Sequence, residues 1–207
     1  MKKILLLILI LISQTSIAQW YVGGTGAVTL SNYKSKTPWK EVSNMGLAFG
    51  ATGYKQFNTN WAVQLQLTYI QKGYFHKICN TIYDKLEANY IEIPMMADYS
   101  FLLPMKNFKG HANFGFYTAY WLSAKYKTKG FDDTTETFDF KKNNASRFDV
   151  GPLAGFRIEY ILNNASLSLD LRYEIGLLDL QKSQTDNTKN SNRAMIIGLS
   201  YIKPFGR

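Results

Sequence analysis

Eight charged residues carry most of the chemistry this chain could perform: Glu92, Asp98, Lys125, Arg157, Glu159, Asp170, Arg172 and Glu174. Paired carboxylates beside cations serve as general acids and bases, or line a selective pore. The same groups packed together form a polar plug, because charges taken out of bulk water require partners and hydrogen bonds. Arg157 and Arg172 have the fork geometry to bridge Glu92, Glu159, Asp170 and Glu174 through bidentate contacts, and a narrow interior filled by side chains favours the plug. Nucleophilic chemistry has little to work with. Cys79 is the only cysteine, and His76 and His111 are the only histidines. A Cys79–His76 dyad needs an orienting third group that the spacing does not supply, and both histidines read as isolated loop or strand-end residues. Too far apart to share a metal, they belong to no His/Cys cluster. Gly23-Gly24-Thr25-Gly26 is not followed by the Lys-Ser/Thr pair of a phosphate loop. The expectation is no catalytic residue, no cofactor and no metal.

The elements that position these residues are strands. From Ser166 to Leu177, apolar side chains (Leu167, Leu169, Leu171, Tyr173, Ile175) alternate with charged or small ones (Ser168, Asp170, Arg172, Glu174, Gly176). Alternation with period two gives a strand one apolar and one polar face. The pattern recurs over 20–30, 45–55, 61–72, 90–101, 111–126, 150–161 and 193–201. In the fifth of these eight segments, Asn113, Gly115, Tyr117 and Ser123 are assigned to the polar face, and Lys125 joins the interior charges. Connections alternate strictly between short (56–60, 102–108, 162–165) and long (31–44, 75–88, 127–147, 181–191). This rhythm predicts an all-β, eight-stranded antiparallel up-and-down transmembrane β-barrel, with short periplasmic turns and longer external loops. Trp20, Trp61, Tyr99, Phe101, Tyr160, Tyr201 and Phe205 fall at the periplasmic strand ends, where an aromatic girdle would sit at headgroup level. Pro94 and Pro152 interrupt strands that have no free edge, so each predicts a bulge or a local break in the ladder. The Thr-rich centre of 127–147 is compatible with a short external hairpin.

The N-terminus reads as a secretory leader. Lys2 and Lys3 precede an aliphatic run from Ile4 to Ile12, and Ser16-Ile17-Ala18 offers a cleavage site before Gln19. The expected organisation is therefore a removed leader, 1–18, and one barrel domain, 19–207. Removal of Lys2 and Lys3 lowers the formal charge of +9 by two. The remaining cations are spread along the chain and suit anionic lipid headgroups, and no nucleic-acid partner is expected. A single cysteine excludes an intramolecular disulfide.

The leader, the Gly-rich opening strand Tyr21–Leu30, Tyr90-Ile91-Glu92-Ile93-Pro94, Gly155-Phe156-Arg157-Ile158-Glu159-Tyr160, Leu171-Arg172-Tyr173-Glu174-Ile175-Gly176-Leu177 and the closing Gly198-Leu199-Ser200-Tyr201 resemble the PorT-like outer-membrane β-barrel family. The resemblance spans nearly the whole mature chain. It implies an outer-membrane barrel assembled by the barrel-insertion machinery, embedded in outer-membrane lipid, and in one branch tied to protein secretion. The functional expectation is a non-enzymatic barrel, structural or acting on an envelope or surface protein through its external loops. Two alternatives stand beside it. One is a soluble periplasmic lipocalin-like barrel with an apolar lumen. The other is a lipid-modifying outer-membrane enzyme, for which His76 is the available rim histidine.

Overall fold

The computed structural model describes residues 19–34, 40–77, 82–130, 133–141, 145–178 and 191–205. The expected leader, 1–18, Cys79 and most of the 181–191 connection lie outside the described residues. Ten strands follow one another: β1 (Gln19–Lys34), β2 (Lys40–Val42), β3 (Asn44–Gln56), β4 (Trp61–Lys77), β5 (Tyr83–Leu102), β6 (Phe108–Lys129), β7 (Thr134–Thr137), β8 (Phe148–Ile161), β9 (Ser166–Ile175) and β10 (Ser191–Pro204). Eight of them close a barrel in the antiparallel order β1-β3-β4-β5-β6-β8-β9-β10, and β10 returns to β1. Strands β2 and β7 are short additions, paired with the ends of β4 and β6.

Alternation decides which way each side chain faces. On β9, Leu167, Leu169, Leu171, Tyr173 and Ile175 are exposed on the outside, while Ser168, Arg172 and Glu174 are buried inside. Phe49, Leu65, Leu67, Met95, Phe114, Phe116, Phe156 and Leu199 continue the outer apolar surface around the barrel. This outside-apolar, inside-polar arrangement is the reverse of a lipid-carrying soluble barrel. The two surfaces therefore correct the lipocalin alternative.

The named girdle residues Trp20, Trp61, Tyr99, Phe101, Tyr160, Tyr201 and Phe205 are all exposed at the short-turn end. Several pair there: Trp61 and Tyr99 lie 5.0 Å apart, as do Phe108 and Tyr160. Phe101 lies over Gly110, where an added Cβ would come within 2.4 Å of its ring. Here glycine supplies the space that the aromatic fills. The last strand runs on to Pro204, and the Phe205 N–H donates to the Trp20 carbonyl at 2.8 Å, which seals the seam at its periplasmic end.

Both prolines interrupt hydrogen bonding without a bulge. The β4–β5 ladder skips from Leu65↔Met95 to Thr68↔Glu92 around Pro94 and resumes in the same register. Pairing of β8 with β9 ends at Leu153↔Glu174, next to Pro152. The bulge in this wall lies elsewhere, where Asn89 opposes Ser123 but Tyr90 opposes Trp121. Leu122 is the extra residue, and it inverts the facing of β6 beyond it. Lys125 and Ser123, expected inside, are consequently exposed on the outer surface.

The external strand ends reach well into the segments expected to be loops. β1 extends to Lys34, β4 to Lys77 and β6 to Lys129, and β5 begins at Tyr83. The Thr-rich segment forms β7, paired with β6 through Lys125↔Thr137 and Thr128↔Thr134.

Leu169 faces lipid in mid-strand. Its replacement by Arg should cost about 2–4 kcal/mol in urea unfolding from lipid vesicles, whereas Lys125→Gln should change stability by less than about 0.5 kcal/mol. Equal effects of the two substitutions would contradict the facing assigned here.

Candidate functional site in the charged lumen

Buried charge gathers in two groups along the barrel interior. The group nearer the external end centres on Lys72, projected inward from β4 by the same alternation that turns Gln64, Gln66 and Thr68 inward. The Lys72 ammonium contacts Glu92 Oε2 from β5 and donates to Glu174 Oε2 from β9 at 2.7 Å. It also stands 4.4 Å from the centre of the Tyr117 ring. Arg172 adds a second cation: its Nε lies 2.9 Å from Glu174 Oε1, and its guanidinium 3.5 Å from Glu92 Oε1. Arg172 also donates to Gln66 Oε1 at 2.8 Å. Tyr117 in turn donates its hydroxyl to Asp149 Oδ2 at 3.0 Å. Lys72, Glu92 and Glu174 are each at most 1 % exposed, so all three charges rely on one another rather than on water.

The second group lies toward the periplasmic end. Arg157 donates to Asp98 Oδ2 at 3.0 Å and to Gln64 Oε1 at 3.1 Å. His111 spans two carboxylates, with Nδ1 at 2.7 Å from Asp98 and Nε2 at 3.1 Å from Glu159. Tyr54 completes the group by donating to Asp98 Oδ1 at 3.3 Å. A recess of about 200 Å³ opens below, lined among others by Tyr21, Tyr54, Lys109, His111, Arg157 and Glu159.

The structure thus brings Glu92, Arg172 and Glu174 into one cluster and Asp98, Arg157 and Glu159 into another. Asp170 stands apart, accepting from the Ser200 hydroxyl at 2.6 Å. Lys125 is excluded from the lumen by the β6 bulge. Three participants were not singled out among the interior charges. Lys72 and Asp149 were each detectable by carrying the alternation beyond the named residues, two inward positions past Thr68 and one before Gly151. His111, read as an isolated strand-end residue, is 2 % exposed and held between carboxylates. No sequence signal announced that, because its partners come from other strands. His76 lies in the external extension of β4 rather than in a loop, with its ring 4.6 Å from Tyr74. Among the described residues, no group of three or more His, Cys, Asp or Glu is placed to hold a metal.

The arrangement neutralises charge and fills space. In the upper cluster Glu92 and Glu174 are each shared by both cations, and neither Lys72 nor Arg172 is left free to act on a substrate. The rest of the interior is packed by buried apolar side chains such as Ala48, Ile70, Met96, Leu153 and Ile196. Lys72→Met would leave Glu92 and Glu174 buried with a single cation, at a cost of about 3–5 kcal/mol in urea unfolding. Adding Glu92→Gln to that variant should recover part of the loss. A Lys72→Met cost below about 1 kcal/mol would mean that water, not Lys72, neutralises these carboxylates.

This fold is similar to that of Neisserial surface protein A, at 17% identity and a TM-score of 0.49, over 91% of this chain and 99% of that one. It is likewise similar to the outer membrane protein OprG of Pseudomonas aeruginosa, at 14% identity and a TM-score of 0.50, over 89% and 95%. Outer Membrane Protein W of E. coli is similar at 13% identity and a TM-score of 0.47, over 91% and 98%. At such identities the likeness concerns the fold alone. None of the curated proteins matches this chain. The model of the outer membrane protein beta-barrel domain matches residues 12–182, more than half of the chain, so the protein belongs to that family and resides in the outer membrane.

Proposed function

We propose that this barrel is non-enzymatic and non-conducting, and that it acts through its external end as a binding or assembly component for an envelope or surface protein. One observation carries this reading: the lumen is closed above its ion pairs by an aromatic stack. Trp121, at the top of the buried interior, lies 5.5 Å from Tyr90 on one side and 5.1 Å from Phe138 on the other. Phe140 meets the Trp121 ring edge-on at 4.9 Å. Phe138 and Phe140 belong to the segment that follows β7, so this connection folds back over the mouth. A lumen blocked by paired charges below and aromatic rings above offers neither a water path nor a substrate cleft.

The external extensions remain as the surface free to act. Beyond the apolar band, β5 and β6 present a half-buried ionic patch in which Glu87 pairs with Lys85 at 2.7 Å and with Lys127 at 2.8 Å. Loops and strand extensions on a rigid scaffold are where binding is usually built. Export through a leader removed after Ala18, biogenesis through the barrel-insertion machinery, and a PorT-like relationship with its link to secretion belong to the same proposal. The lipid-modifying alternative has His76 as its rim histidine, and that ring packs on Tyr74 beside no described nucleophile.

In planar bilayers the purified barrel should show no persistent single-channel steps. Stable, repeatable conductance would overturn the closed-lumen reading. An amine-reactive crosslinker applied to intact cells should yield a discrete protein adduct that disappears when residues 131–146 are replaced by a short Gly/Ser turn. An adduct pattern indifferent to that replacement would remove this external segment from the partner site.

A further inference from the structure

One groove at the external end shares Phe138 and Phe140 with the aromatic cap but lies outside the charged lumen. Pairing of β6 with β8 ends at Tyr120↔Phe148, while β6 continues upward to Lys129 without that neighbour. The segment returning toward β8 stays tethered, since the Trp121 N–H donates to the Arg147 carbonyl at 2.7 Å and the Phe138 N–H to the Ala124 carbonyl at 2.9 Å. Between strand and segment lies an open groove of about 530 Å³, lined by Leu122, Ala124, Phe138, Phe140, Lys141 and Arg147 among others. That volume falls within the range of about 300–1,000 Å³ usual for small-molecule sites.

The chemistry of the lining divides by position. Leu122, Phe138 and Phe140 give an apolar floor, and the Arg147 guanidinium lies 4.0 Å over the Phe140 ring. Lys141 adds a second cation at the rim. The acidic lining residue, Asp139, accepts from the Lys141 backbone N–H at 2.9 Å and is engaged within the segment itself. Directly below, Tyr120, Leu122 and Phe148 belong to the exposed apolar surface that meets lipid. Through Leu122 the groove therefore adjoins the outward-facing apolar wall at its external end.

We propose that this groove holds an anionic, phosphate-bearing lipid of the outer leaflet, with an acyl chain along Leu122, Phe138 and Phe140 and the phosphate between Arg147 and Lys141. A guanidinium pre-positioned on a ring suits phosphate oxygens, which it contacts with two parallel N–H donors. A protein partner would not require continuity with the lipid-facing wall, whereas a lipid does. The inference rests on the outward, external-end reading given above. A crosslinked adduct indifferent to replacement of residues 131–146 would strike that reading, and lipid selectivity of the intact barrel tests this one separately.

The test uses the full folded barrel in neutral detergent, with retained lipid counted by native mass spectrometry. Dioleoylphosphatidylglycerol should be retained about tenfold better than dioleoylphosphatidylcholine, and Lys141→Glu should reduce that preference at least about fivefold. Leu122→Glu should lower retention of both lipids. Arg147→Glu should abolish the preference, and if that variant unseats the capping segment, Lys141→Glu decides alone. Free glycerol 3-phosphate should fail to displace the bound lipid. Equal retention of the two lipids, a preference unchanged by Lys141→Glu, or displacement by glycerol 3-phosphate would each overturn the proposal.

Discussion

Within a bilayer each backbone N–H and C=O must find its partner inside the protein, because hydrocarbon offers none. For strands the complete solution is a closed sheet, and here closure is made by β1 against β10 over fourteen partner pairs, from Tyr21↔Pro204 to Lys34↔Ser191. That seam fixes much else. Once the sheet is a cylinder, alternation no longer separates two faces of a layer but an inside from an outside. Each residue is committed to lipid or lumen by its parity. The opening strand is glycine-rich for a related reason: a Cβ at Gly23 would come within 2.0 Å of the Tyr201 carbonyl oxygen across the seam, so close approach depends on its absence.

Closure also creates the electrostatic problem that the interior solves. Eight strands enclose a lumen that side chains nearly fill, so polar groups turned inward lose bulk water. The two clusters meet that loss in different ways. Around Lys72, carboxylates from β5 and β9 converge on a cation from β4, which ties together walls on opposite arcs of the barrel. Around Asp98, a histidine, an arginine and a tyrosine from three further strands surround one carboxylate. Each includes contacts between strands that are not neighbours, Lys72 to Glu174 in one and Arg157 and Tyr54 to Asp98 in the other, so each links parts of the cylinder that the backbone ladder connects only through intermediates. A buried charge network is weak evidence for net stability, but removal of one member is costly. The clusters therefore act as a condition on correct assembly.

What could be read from the sequence follows from this physics. Alternation survives in the order of residues, so the strands, the outward leucines of β9, the girdle aromatics and most lumen charges were legible. So was the rhythm of short and long connections. The bulge was not, since Leu122-Ser123 carries no turn residue and its effect depends on the register of β5 opposite. That one residue moved Lys125 from the lumen to the surface. His111 was equally opaque, because a histidine near a strand end gives no sign that Asp98 and Glu159 will flank it. Strand ends were read as loops for a simpler reason: above the apolar band both faces are polar, and the periodic signal fades although pairing continues.

The same bulge explains how a barrel with a filled lumen can still present a specific surface. Below it, β6 alternates between lipid and lumen, and each side chain is absorbed by one or the other. Above it, Leu122 and Ser123 are both exposed, Ala124 is buried, and Lys125 points outward. β8 has already ended as a neighbour, and β7 takes its place beside β6 from Lys125 to Thr128, so the edge changes partner around Leu122 and Ser123. Residues 138–141 and 145–147 continue along this edge. Their aromatic rings reach inward over Trp121, while Arg147 and Lys141 remain beside the apolar outer wall. Sealing the mouth and forming the lateral groove are thus consequences of one local change in register. The external end acquires chemistry because the strand there carries the opposite parity from the part of β6 below the bulge.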